Sequence, residues 1–155
     1  MGHTYVLPIA GLTALTAVPF AQLATPATVS IQILRIELGQ ETSETSQQEI
    51  LILIHRSTAS TLPTATTPIN LNMRAAAIAS LLTGSTTTNA TGIATVTGTA
   101  VDTIQLPTFN VLNGFIWTCE DLGVIVAPSR FLTLQFKTAP AANTWSGGIY
   151  FRELG

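Results

Sequence analysis

Charge is what this sequence has least of. Only 9% of its residues are Asp, Glu, Lys or Arg, against roughly a quarter in an average soluble domain. Lysine occurs once, at Lys137, and the five arginines, Arg35, Arg56, Arg74, Arg130 and Arg152, are scattered. Phosphate-driven binding needs clustered cations, so direct nucleic-acid binding is not expected. The single cysteine, Cys119, excludes an intrachain disulfide and a cysteine-based zinc site. Beside Trp117 it reads as a small buried apolar residue. Histidine is almost as scarce, with only His3 and His55. No Gly-x-Ser-x-Gly elbow, phosphate loop or Gly-x-Gly-x-x-Gly fingerprint is present, and an enzyme is not expected.

Long apolar runs are also missing. The uncharged opening MGHTYVLPIAGLTALTAVPFAQLA is interrupted by Pro8, Gly11 and Pro19, whereas a spanning helix needs about 20 consecutive apolar residues. It lacks the basic start of a signal peptide. The expectation is therefore no membrane, and folding in the cytoplasm of the cell that makes the protein. Residues 1–20 read as an extended N-terminal arm or edge strands, and residues 21–155 as one β-sandwich domain.

What replaces charge is threonine, serine and alanine, within an ordinary hydrophobic fraction of 46%. Threonine's branched Cβ favours strands, and most of the chain alternates with period 2. In Val29–Leu38 the alternation slips by one: Val29, Ile31 and Ile33 share one parity, then Leu34, Ile36 and Leu38 the other. A β-bulge produces such a slip. Glu49–Arg56 is continuously apolar, as a central strand would be. Phe131–Lys137 alternates between Leu132, Leu134 and Phe136 on one side and Thr133 and Gln135 on the other. The closing stretch Trp145–Glu153 sets Ile149 and Phe151 opposite Tyr150 and Arg152, and reads as a central strand paired with an early one. Alanine-rich residues 72–82 form the one good helix candidate, stopped by Gly84. The fold expected is all-β: an antiparallel β-sandwich or jelly roll of eight to ten strands with that one short helix.

Four groups of residues invite a functional reading. Glu37, Glu41, Glu44, Glu49 and Glu120-Asp121 are the carboxylates near one another in sequence. The run Gly39–Gln48 lacks the ligand spacing and internal glycine of a calcium loop, so it reads as a solvated strand connection, with no metal and no cofactor. A metal-dependent hydrolase ranks last. His3 and His55 read as structural. Asn89-Ala-Thr91 matches a glycosylation sequon, a chance match without a secretory signal. Trp117, Trp145 and Tyr150 could form a sugar platform or pack in a core or interface.

Together, MGHTYVLPIAGLTAL, ILRIELGQETSETSQQEILILIHR, FNVLNGFIW and the ending VIVAPSRFLTLQFKTAPAANTWSGGIYFRELG resemble small structural proteins of tailed bacteriophage virions. These are jelly-roll or β-sandwich proteins, several of them capsid decoration (cement) proteins. The more specific parts are Arg35–Gln40, leading into an acidic loop, and Ser146–Glu153. The resemblance implies a non-enzymatic homo-oligomer, commonly a trimer, bound to the major capsid protein on the capsid surface. The interface residues it points to are His3, Tyr5, Leu7, Ile9 and Leu12 in the arm, with Trp117, Trp145 and Tyr150. Alternatives are a tail, baseplate, fibre or extracellular filament subunit, and a carbohydrate-binding module.

Overall fold

The computed structural model describes residues 3–14, 19–41, 49–57, 65–72, 79–86, 103–105, 107–119, 121, 123–136 and 143–154. The strands are β1 (Thr4–Ala14), β2 (Pro19–Ala24), β3 (Ser30–Gln40), β4 (Glu49–Ser57), β5 (Ile69–Asn70) and β6 (Thr83–Thr86). After them come β7 (Thr103–Gln105), β8 (Thr108–Asn110), β9 (Phe115–Thr118), β10 (Ile125–Val126), β11 (Phe131–Phe136) and β12 (Asn143–Leu154). One sheet runs β5-β1-β12-β3, with β9 and β10 both on the far edge of β3. The other runs β6-β2-β11-β4, with β7 and β8 both on the far edge of β4. Every pairing between these strands is antiparallel.

The first strand thus pairs with the last, and the second with the last but one. Successive strands switch sheets, save that β6, β7 and β8 follow one another in one sheet and β9 and β10 in the other. This is the connectivity of a jelly roll, two Greek keys folded on each other. The pair β5–β6 is an addition that widens each sheet by one position on the same side.

Both open sides of the sandwich are crossed by chain. On one, Thr66 bridges to Gly84 of β6 and the chain then enters β5 against β1. Gly84 is needed here, because a Cβ would lie 2.3 Å from Leu7 Cδ1 and 2.9 Å from the Thr66 carbonyl oxygen. On the other, β8 leads through a 3-10 turn at Val111–Asn113 into β9. The Asn110 side chain caps that turn by accepting from the Leu112 N–H at 2.9 Å.

The core lies between the sheets. A row of rings links them: Phe20 stacks on Phe136 with centroids 4.5 Å apart, and Phe136 lies 5.4 Å from Trp145. Phe109 then lies 6.2 Å from Trp145 and 5.2 Å from Phe115. Aromatic pairs contribute about 0.5–1.5 kcal/mol each beyond their burial.

The slip of parity in β3 is a bulge: Arg35 faces Tyr150 while Ile33 faces Phe151, leaving Leu34 as the extra residue. Ile31, Ile33, Ile36 and Leu38 are consequently all buried. The closing strand is central, between β1 and β3, as its pattern implied.

Other expectations need correction. Of the two alternatives for residues 1–20, arm or edge strands, residues 4–14 take the strand and are not an arm. They form β1, hydrogen-bonded along its length to β12, and Tyr5, Leu7, Ile9 and Leu12 fill the chain's own core. Their period-2 apolar pattern has the same cause as that of any sandwich strand. In Phe131–Phe136 the alternation does not separate buried from open: Thr133 and Gln135 are buried as well as Leu132, Leu134 and Phe136. Gln22 of β2 is also buried and donates to Thr133 Oγ1 at 3.0 Å. The helix candidate falls mainly on 73–78, outside the described residues. On its C-terminal flank the chain is irregular, and Gly84 belongs to β6. Among the described residues the only helical element is the 3-10 turn.

Candidate functional site

Among the described residues both faces of β2 and β11 are buried, and the outward face of the β1–β12–β3 sheet is the broad surface left open. Its side chains follow from register. Across the strands, Thr4, Arg152, Gln32 and Ile125 form one row. Ile69, Val6, Tyr150, Arg35 and Thr118 form the next. Pro8, Gly148, Glu37 and Ile116 form a third. Inward-facing neighbours alternate with all of these, as the pleat requires.

The middle of the face is polar and internally bonded. Tyr150 Oη donates to Glu37 Oε1, and the Arg35 guanidinium lies 4.3 Å from the Tyr150 ring centroid. Arg35 Nη2 also reaches Glu37 Oε2 at 3.3 Å. The hydrogen bond to Glu37 raises the Tyr150 pKa, burial adds to this, and Arg35 opposes it. Each contact is partly exposed, where a cation–π pair contributes about 0.5–1 kcal/mol and an ion pair less than about 1. The group holds three side chains flat along the sheet. Next to the group, Gly148 leaves room for Val6, since a Cβ there would come within 2.8 Å of Val6 Cγ2.

Both margins of the face are apolar. Ile69 is 54% exposed and Leu71 44%, at β5; Ile116 is 72% exposed on β9 and Ile125 46% on β10. Beside Ile116 a trough of about 440 Å3 opens, lined by Glu37, Gly39, Gly114, Phe115, Ser146 and Gly147 among others. A smaller hollow of about 230 Å3 lies at Thr4, Leu34, Arg35, Thr118 and Tyr150. Ser146 Oγ donates to Glu41 Oε1 and accepts from the Gly11 N–H at 3.3 Å.

The residues named from sequence are dispersed by this arrangement. Tyr5, Leu7, Ile9, Leu12 and Trp145 are between 0% and 2% exposed, so they are core and cannot meet a neighbour without unfolding. Trp117 faces inward opposite the buried Ile36 and packs against the margin of the core. His3 is half-buried, edge-on to Tyr5 at 6.4 Å. Only Tyr150 lies on the open face. The three aromatics proposed as a sugar platform therefore point to different sides of one sheet. Residues 42–48, with Glu44, and residues 87–102, with the sequon, lie outside the described residues, as does Glu120. No group of three His, Cys, Asp or Glu residues suited to a metal ion occurs among the described residues. None of the helices there is long and apolar enough to cross a membrane.

What sequence reasoning missed is the face itself. Arg35 and Glu37 share the parity that the bulge turns outward, which the slip of pattern signals. That Tyr150, Ile69 and Ile116 join them depends on pairing across the sheet, which no local pattern specifies. No protein-family model matches the chain, and no curated protein or solved structure is significantly similar to it.

Proposed function

We propose that the chain is a non-enzymatic structural subunit that works by lateral contact, and specifically a decoration (cement) protein of a bacteriophage capsid. The observation that carries the reading is the open sheet face, with exposed Ile69 and Leu71 on one margin, Ile116 and Ile125 on the other, and a self-bonded Arg35–Glu37–Tyr150 centre. Scattered surface apolar residues are ordinary, but apolar side chains gathered on one flat face suit a partner. A jelly roll supports the reading by analogy alone, since viral capsid proteins, lectins and cupins share it. The low charge of the whole chain agrees with a surface meant to be covered. The capsid assignment adds the resemblance of Arg35–Gln40 and Ser146–Glu153 to small virion proteins.

The test is binding of purified protein to empty shells of the major capsid protein encoded in the same genome. Saturable co-sedimentation is expected, with a higher temperature of shell disruption. Shells that neither bind the protein nor gain heat resistance overturn the capsid assignment. Immunogold label on tails or filaments would move the subunit there.

A further inference from the structure

The turn between β8 and β9 sets a side-chain amide beside a bare backbone nitrogen. Asn113-Gly114 is the single Asn-Gly step in the sequence. Asn113 ends the 3-10 turn, is exposed, and lines the trough beside Ile116. Other turn asparagines are held by their own backbone: Asn110 Oδ1 accepts from the Leu112 N–H at 2.9 Å, and Asn70 Oδ1 from the Asn72 N–H at 2.8 Å. Among the described residues no hydrogen bond holds the Asn113 side chain.

Gly114 follows with a φ of +67°, and its N–H donates to Val111 O at 3.4 Å, longer than an amide donor usually reaches. That φ strains any residue with a Cβ, and a Cβ here would also lie 3.2 Å from Leu38 O. The turn therefore requires glycine, and glycine leaves the nitrogen unshielded. These are the parts of the cyclisation that makes asparagine thermolabile. The Gly114 nitrogen attacks the Asn113 side-chain carbonyl carbon and bonds to it. The side-chain nitrogen leaves as ammonia, taking the Gly114 proton. Water then adds to one carbonyl of the imide ring and cleaves its bond to nitrogen. Opening at the side-chain carbonyl gives aspartate; opening at the main-chain carbonyl gives isoaspartate.

We propose that Asn113 is a self-modification site of the folded chain, converting to aspartate and isoaspartate by cyclisation onto Gly114, with water as the co-reactant. The product carries a carboxylate where the amide stood, in the trough that Glu37 also lines. It makes the net charge of −2 one unit more negative. Isoaspartate also routes the main chain through its side-chain carbons. That inserts a methylene just before β9, which pairs with β3 from Phe115 opposite Leu38. The margin of the open face thus changes charge and backbone path as the protein ages. Nothing in this step depends on assembly.

Peptide mapping by mass spectrometry tests it, on protein kept folded in mildly alkaline buffer made with heavy-oxygen water. The fragment spanning Asn113 and Gly114 should exchange the mass of an amide for that of an acid and take up one heavy oxygen. It should split into two chromatographic forms, one of them matching the fragment from Asn113→Asp and the other isoaspartate. Asn70, Asn72 and Asn110 should convert at least about tenfold more slowly, a barrier higher by about 1.4 kcal/mol. Asn113→Gln, whose longer side chain closes a less favourable ring, should show no such change at that position. If Asn113 stays intact in the folded chain while the same chain in urea converts, the turn shields the nitrogen and the inference is overturned. Another asparagine that converts faster overturns it too, as does a chain that converts in neither state.

Discussion

Cys119 is 1% exposed and donates from Sγ to the Ile33 carbonyl at 3.3 Å. Its burial beside the β3 margin is what a lone cysteine next to Trp117 implied. Burial raises the thiol pKa from 9.0 to about 11, because a thiolate there would lose its hydration. The folded thiol keeps its proton to higher pH than the unfolded one. Its contribution to stability is therefore whole below about pH 9 and is lost as pH climbs towards about 11. Within that window one group lowers the unfolding free energy by at most about 1.4 kcal/mol per pH unit. Tyr5, raised by burial and by Glu153, and Tyr150, raised by Glu37, act in the same direction from pH 10.0 upward. Urea unfolding from pH 8 to 11 should show stability falling across this range, with Cys119→Ala shallower at its lower end. An identical profile for the alanine variant would assign the loss elsewhere. The reason Cys119 was legible while Tyr150's role was not is physical. A small thiol among apolar neighbours declares its burial locally, whereas Tyr150 takes its meaning from Arg35 and Glu37 on another strand.

At the scale of elements, β1 decides between an arm and a core strand. Thr4 pairs with Arg152 and Ala14 with Asn143, so β1 spans the closing strand. On its other edge only Tyr5 and Val6 pair with β5. Thr4 O accepts from Leu71 there, and the alternation of backbone direction turns Pro8 to the same edge. A proline with no N–H leaves that edge without a donor, a common device against unwanted strand pairing. Deleting residues 1–14 should abolish cooperative thermal unfolding and the near-UV circular dichroism of Trp145. A dispensable arm would leave both intact. The sequence marked strands by periodicity, and this succeeded for the β3 bulge and for β12, where one face is buried and the other open. It was less informative for β11, where Thr133 and Gln135 are polar yet buried, because alternation records chemistry and not what lies over the second face. Within 108–118, Asn113-Gly114 reads as a turn or bulge, and the chain does turn at that place. There the chain crosses between sheets at Val111–Asn113, and Phe109 and Phe115 serve the core from opposite sheets.

For the whole molecule the balance of forces at its contacts follows from its scarcity of charge. The net charge is −2 with 9% charged residues, and on the open face Arg35 and Glu37 are already paired within the chain. The lateral contact proposed for this face, through Ile69, Leu71 and Ile116, then draws on apolar burial, with little Coulomb energy across it. Salt at about 0.5 M shortens the screening length to a few ångströms, which weakens contacts between exposed charges and leaves apolar ones intact. Apolar association has little enthalpy near room temperature and a negative heat-capacity change. Sulfate, excluded from protein surface, strengthens it. The constant for binding empty shells, measured by co-sedimentation, should therefore stay within about threefold as sodium chloride rises from about 0.05 to 0.5 M. It should rise from 4 to 25 °C and rise again in sulfate. A tenfold loosening in sodium chloride would mean that charges face each other across the contact. The polar centre around Arg35, and not its aliphatic margins, would then be the surface that makes the contact.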